Sequence, residues 1–261
     1  MSVLQQICEQ KRAHIASQKQ NTTFEELKAM ISDQAPPRGF IKNLQHVSQE
    51  GIALITEVKK ASPSKGVICE NFDPKHIAKA YENAGAACVS VLTDEPYFQG
   101  HDNHFREVRQ TISLPMIRKD FMLEPYQIYE SRAMGADCIL LIMAALDDSQ
   151  AQELHDLSRE LDMDVLVEIH DEQELERTMA MNPAMIGVNN RNLKTLNVDI
   201  QTSFDFADKI PRNIVKIAES GLTDFQTVSK LKTVGYSGFL VGESLMRQPD
   251  IETAVYNLSG K

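Results

Sequence analysis

Residues 52–66 read IALITEVKKASPSKG, a short apolar run that turns abruptly into charge, proline and glycine. A run of this length, apolar on both faces, is the pattern of a parallel strand buried on both sides. The same form recurs as ACVSVLT (87–93), PMIR (115–118), CILLIM (138–143), VLVEI (165–169), MIGVN (185–189), IVKIA (214–218) and GFLVG (238–242), eight runs in all. Helical segments separate them. Asp73-Pro74 supplies an N-cap and a first-turn proline, and Asn83-Ala84-Gly85 supplies the stop, with Gly135 and Gly235 preceding later runs in the same way. Eight strand–helix units predict an α/β chain folded as a (β/α)8 TIM barrel. The rival is a doubly wound open sheet, which wants a G-x-G-x-x-G turn after its first strand. That turn is absent from EVKKASPSKG.

Ahead of the first run the pattern is helical. Val3, Leu4, Ile7 and Cys8 form one apolar stripe, and Phe24, Leu27 and Ile31 form a second behind a capping box of Thr23 with Glu26, before Pro36 and Pro37 break it. The expected organisation is a helical extension, residues 1–48, packed on a barrel of residues 49–261, one domain overall.

The composition, 42% hydrophobic and 25% charged, is that of a globular enzyme-sized chain rather than a disordered tail, a collagen or a disulfide miniprotein. With 27 Lys+Arg against 37 Asp+Glu the net charge is −10, so the surface repels polyphosphate and offers no basic membrane face; neither nucleic acid nor membrane is an expected partner. The N-terminus meets charge early, and no apolar run reaches the roughly 18 residues of a bilayer span, so the expected compartment is the cytoplasm. Cys8, Cys69, Cys88 and Cys138 lie far apart with no C-x-x-C pair, and no His cluster has zinc spacing, so reduced thiols and no metal are expected.

In a barrel of this kind the chemistry sits where strands end. The first run ends in Glu57 and Lys59, which share a face; the third ends in Lys119 and Phe121; the fifth in Glu168 with His170 in phase; the sixth in Asn189 and Arg191. Burying these charges is costly unless they pair or meet a ligand. A salt-bridge network closing the barrel top would be the structural explanation, and a functional mouth the alternative favoured by so many in-phase charges. The seventh and eighth runs end Ala218-Glu219-Ser220-Gly221 and Val241-Gly242-Glu243-Ser244, where barrel enzymes commonly bind phosphate through backbone N–H groups. Lys59, next around the ring, could add a point charge there.

The segments EVKKASPSKG, VLTDEPYFQG, PMIRKDF, GADCILLI, LVEIHDE, IGVNNRNLKT, AESGL and FLVGESLMR together resemble the indole-3-glycerol-phosphate synthase family, in family order from PPRGF to the end of the sequence. The resemblance implies conversion of 1-(2-carboxyphenylamino)-1-deoxyribulose 5-phosphate, an anionic aromatic phosphosugar, into indole-3-glycerol phosphate with loss of carbon dioxide and water. It implies no cofactor. Carried over to these positions, Lys119 resembles the general acid and Glu168 the base or the partner in hydroxyl loss, while Glu57 and Asn189 position substrate and proton donors. Lys59 resembles a phosphate contact and proton shuttle. Arg191 with Ser62 resembles the holder of the anthranilate carboxylate; Pro63, Phe98, Phe121 and Leu140 resemble the walls around the ring; Ser220, Gly221, Gly242 and Glu243 match the phosphate loops. Glu243 stands where some members have serine, so it is expected to contribute its main chain only. A freestanding monomer with no fused isomerase is expected.

A lysine over the ketone oxygen suits an acid if neighbouring cations lower its pKa, and Lys59, Arg118 and Arg191 are the expected source of that positive field. With Lys65 they would make a compact positive well in an acidic shell, although Arg118 is out of phase with Lys119 and so belongs behind the barrel wall. Other readings are a phosphosugar isomerase, an aldolase using Lys119 as a Schiff-base nucleophile, and an inactive barrel kept as a binding module.

Overall fold

Each of the eight apolar runs is a strand in the computed structural model, which describes residues 3–193 and 195–261. Met1, Ser2 and Lys194, the last within IGVNNRNLKT, lie outside the described residues. The strands are β1 (Leu54–Val58), β2 (Cys88–Leu92), β3 (Met116–Lys119), β4 (Cys138–Ile142), β5 (Asp164–Ile169), β6 (Met185–Asn189), β7 (Val215–Glu219) and β8 (Gly238–Val241). They form a closed barrel in the order β1-β8-β7-β6-β5-β4-β3-β2, with β1 parallel to both neighbours: Ile55 is in register with Cys88 of β2, and Leu54 with Phe239 of β8. The barrel sheet is closed on itself, which disposes of the doubly wound rival.

Alternation along the strands sorts the core into two shells. Ile55, Cys88, Ile117, Cys138, Leu140, Leu166, Met185, Ile217 and Leu240 fill the interior. Val89, Val91, Ile139, Leu141, Val165, Val167, Ile186 and Val188 pack outward against the helices. The helix stops follow the expected chemistry: Asp73 accepts from the N–H groups of Lys75 and His76 with Pro74 behind it, and Gly85, Gly135 and Gly235 take left-handed backbone.

The extension is three helices, α1 (Val3–Asn21), α2 (Phe24–Ser32) and α3 (Phe40–Glu50), and it reaches both ends of the barrel. Thr23 and Glu26 do form a reciprocal capping box at the start of α2, which packs against the helix Pro125–Ala133. α3 plugs the end where the strands begin: Phe40 and Leu44 are fully enclosed with the interior residues, a burial worth roughly 1.5–3 kcal/mol for each side chain. Two strand-start carboxylates tether it, Asp164 Oδ2 accepting from Ile41 N–H at 2.9 Å and Asp137 Oδ1 from Arg38 N–H at 2.6 Å. α1 lies over the opposite end. Its buried Lys11 pairs with Asp94 at 2.8 Å and Asp120 at 2.7 Å, two residues that follow β2 and β3. Among the described residues no helix is long and apolar enough to cross a membrane.

Candidate active site

The inward parity of five strands carries through to their C-terminal ends. Ile55 leads to Glu57, Ile117 to Lys119, Leu166 to Glu168, Gly187 to Asn189 and Ile217 to Glu219, so five polar side chains converge at one end of the barrel. They form the floor of a cavity of about 790 Å³, within the range of small-molecule sites. Every residue singled out for catalysis or binding in the sequence lines this mouth: Glu57, Lys59, Ser62, Pro63, Phe98, Lys119, Phe121, Leu140, Glu168, Asn189, Arg191, Ser220, Gly221, Gly242 and Glu243. Val3, Leu4 and Ile7 of α1 complete its rim.

Lys119 Nζ is the centre of the floor, 2.9 Å from Glu219 Oε2 and 3.3 Å from Glu168 Oε2. Its electrostatics reverse the sequence expectation. Burial alone would lower the ammonium pKa, but the carboxylates of Glu219, Glu168 and Glu57 outweigh it and raise the pKa well above the ordinary lysine value. The positive field is missing because Arg118 does lie behind the wall, bound to Glu130 at 2.7 Å and Asp102 at 3.0 Å, while Lys59 is spent on Glu57 at 2.5 Å. Arg191 is likewise engaged: its Nη1 donates to Leu196 O at 3.0 Å, and Nη2 stands 3.9 Å from Glu243.

Glu219 is the residue that strand-end reasoning left without a role. It is fully buried, and its Oε1 has no hydrogen-bond partner. Burial and the adjacent charge of Glu168 push its carboxyl well above the usual range, Lys119 opposing. Burial also raises Glu168, but Lys119 and His170 win and hold it well below that range. Ionising both carboxyls together is therefore costly, and the surroundings of Glu168 favour the anion while those of Glu219 favour the acid. Two glycines make room for these groups. A Cβ at Gly187 on β6 would collide with Glu219 Oε1, and one at Gly242 with the Glu57 carboxylate.

One wall is apolar. The Phe98 and Phe121 rings lie 6.3 Å apart at 41°, beside Leu140 on the floor. Buried Ser62 Oγ lacks a partner in the same mouth. The facing wall is backbone: Ser220 and Gly221 both take left-handed conformation (φ 67° and 77°), a strained arrangement for serine of the kind found at ligand clamps. Next to it the Glu243 carboxylate is drawn to Arg247 Nε at 3.2 Å. Among the described residues no cluster of His, Cys, Asp and Glu could hold a metal ion.

The chain is similar to known proteins over nearly its whole length. The family model described as indole-3-glycerol phosphate synthase matches residues 4–258. The chain is 49% identical to the indole-3-glycerol phosphate synthase of Azospirillum brasilense over 253 residues, covering 97% of each chain. It is 45% identical to that of Rhodospirillum rubrum over 260 residues, covering 99% of each. Among solved structures, a mutant tryptophan synthase alpha-subunit from Pyrococcus furiosus aligns with a TM-score of 0.61 at 16% identity, covering 80% of this chain and 98% of that one. The thiamine phosphate pyrophosphorylase of the same organism aligns with a TM-score of 0.59 at 12% identity, over 81% and 95%. At such identities these two likenesses concern the barrel fold alone.

Proposed function

The chain belongs to the indole-3-glycerol phosphate synthase family, and from that membership we infer how the barrel mouth carries out the reaction. The enzyme is a carboxy-lyase of tryptophan biosynthesis acting on a small molecule. Its substrate joins a carboxylated aromatic ring to a ketose phosphate. The ring carbon that bears the carboxylate attacks the ketone, carbon dioxide leaves to restore aromaticity, and loss of water gives the indole.

The observation that carries the assignment of roles is Lys119 Nζ standing between Glu168 and Glu219 on the floor of the mouth. As the ring closes, negative charge gathers on the former ketone oxygen. An alkoxide is a stronger base than any amine, so a lysine whose pKa is raised still protonates it, and its carboxylate neighbours keep that lysine loaded at every working pH. Glu219, whose raised pKa favours the acid form, contacts Lys119 Nζ at 2.9 Å and in this reading returns the proton to it. Glu168, kept ionised, accepts the proton that the new ring loses, while Lys59, the proton shuttle of the mouth, supplies the proton with which the hydroxyl leaves as water. Glu57 and Asn189 position the chain between them.

Phe98, Phe121, Leu140 and Pro63 take the aromatic ring, and Ser62 with Arg191 its carboxylate. A partly apolar wall favours loss of carbon dioxide because the charge-dispersed transition state needs water less. The phosphate goes to the backbone of Ser220, Gly221, Gly242 and Glu243, assisted by Lys59. Glu243 serves through its main chain, since Arg247 already neutralises its side chain. We take the enzyme to work as a monomer in the cytoplasm, its mouth being completed by its own α1.

The assay is direct. The chain contains no tryptophan, so new indole fluorescence on adding the anthranilate-bearing deoxyribulose phosphate reports product with little intrinsic background. Folded protein that yields no indole would refute the assignment.

A further inference from the structure

His170 lies two residues past Glu168, and the reaction outlined above gives it no task. Its ring is nearly enclosed, at 11% exposure. Nδ1 lies 3.1 Å from Glu174 Oε2, the same oxygen that accepts the His170 backbone N–H at 2.8 Å. Nε2 faces the other way, 3.3 Å from Glu168 Oε1, an ion-pair contact without the alignment of a hydrogen bond. Glu174 is itself fixed in the first turn of the helix Glu172–Ala180, where its N–H donates to the N-cap residue Asp171.

A neutral imidazole has one N–H and one lone pair, so it would turn a lone pair toward one of these carboxylates; only the imidazolium suits both. Burial works against that charge, but Glu168 and Glu174 prevail and push the ring's pKa up to about 10. The consequence concerns the two carboxyls on the floor. Glu168 and Glu219 both contact the same Lys119 Nζ, at 3.3 Å and 2.9 Å, and at that separation in a buried site they cannot both be ionised at little cost. Lys119 contacts both, the nearer being Glu219, so it does not by itself award the negative charge to Glu168. Glu57, across the mouth, is paired with Lys59. Of these neighbours His170 is the cation that touches Glu168 and not Glu219.

We propose that Glu174 and His170 form a positioning pair that assigns the shared proton to Glu219 and leaves Glu168 as the anion, with Oε1 pinned in place. Glu174 orients the ring; the ring selects between the carboxyls. The inference rests on Glu168 being the base, and its test separates the two claims.

The test is the pH dependence of kcat for indole formation by native enzyme, His170→Asn, His170→Ala, Glu174→Gln and the double variant, with Glu168→Gln and thermal melts alongside. Loosening a base costs less than removing one, so we expect kcat of both His170 variants to fall by about tenfold at neutral pH with KM nearly unchanged. The deficit should shrink as pH rises, because the proton then leaves the carboxyl pair whichever member holds it. Glu174→Gln should shift the profile in the same direction and add nothing in the His170→Asn background. Should His170→Ala fail to fold, His170→Asn and Glu174→Gln still decide. A native profile in folded His170→Asn, a deficit equal at all pH values, or a Glu174→Gln effect that persists without the imidazole would overturn the inference. If Glu168→Gln keeps native kcat, the base assignment falls and this proposal with it. If Glu168→Gln is slow while His170→Asn behaves as native, only this proposal falls.

Discussion

Glu168 and Glu219 are the same residue type, both inward, both buried and both in contact with Lys119, yet their carboxyl pKa values are pushed in opposite directions. The difference comes from their other neighbours, and it makes a prediction about pH. Glu219 has its carboxyl pKa raised, so it keeps its proton at neutral pH and loses it as pH climbs. The native enzyme should therefore show an alkaline limb in kcat, above the range where carboxyls ordinarily titrate. In Glu219→Gln, kcat should be lower throughout and that limb should be gone; a limb that survives the substitution would take the proton-return role away from Glu219. Part of this was legible in sequence. The parity of Ile217 and Glu219 marks an inward carboxyl by the same rule that picks out Glu57, Lys119 and Glu168. The direction of the Lys119 shift was not legible, because it depends on which strands face one another across the barrel and on cations being already paired.

At the scale of elements, β6 and β7 show how a strand's sequence serves its neighbour. Gly187 offers no packing of its own, and it is there because Glu219 occupies the space a Cβ would need. Gly187→Ala should displace the far end of a flexible side chain rather than backbone, so the melting temperature should move little. Separating Glu219 from Lys119 should nevertheless lower kcat by on the order of tenfold, a fraction of what loss of proton transfer costs. Unchanged kcat in steady-state assays would show that the close fit of β6 to β7 has no catalytic consequence. The eight strands and the helix caps were readable locally, since they depend on short apolar runs and on Asp, Pro and Gly at fixed offsets. The destinations of α1 and α3 were not. An amphipathic stripe says that a face is buried, not which end of a barrel buries it, and the Lys11 clasp on Asp94 and Asp120 joins residues about 80 to 110 positions apart.

Over the whole molecule the net charge of −10 and the anionic substrate do not conflict. Charge on the solvated exterior is screened within roughly 10 Å, while the mouth is governed by groups in contact. The mouth is not the free positive well that Lys59, Lys65, Arg118, Lys119 and Arg191 suggest in sequence. Lys59, Lys119 and Arg191 each face a carboxylate there, and Arg118 is spent behind the wall. A substrate dianion must then compete for cations that are already paired, and in the proposed binding mode the backbone N–H groups of the last two loops take more of the load. The central claim is that Lys119 is the proton donor for ring closure, and kcat of Lys119→Met at saturating substrate, in protein shown to be folded by circular dichroism, tests it most directly. The account predicts a fall of on the order of 10² or more in kcat with KM little changed; native kcat with the loss confined to KM would make Lys119 a binding residue and contradict it.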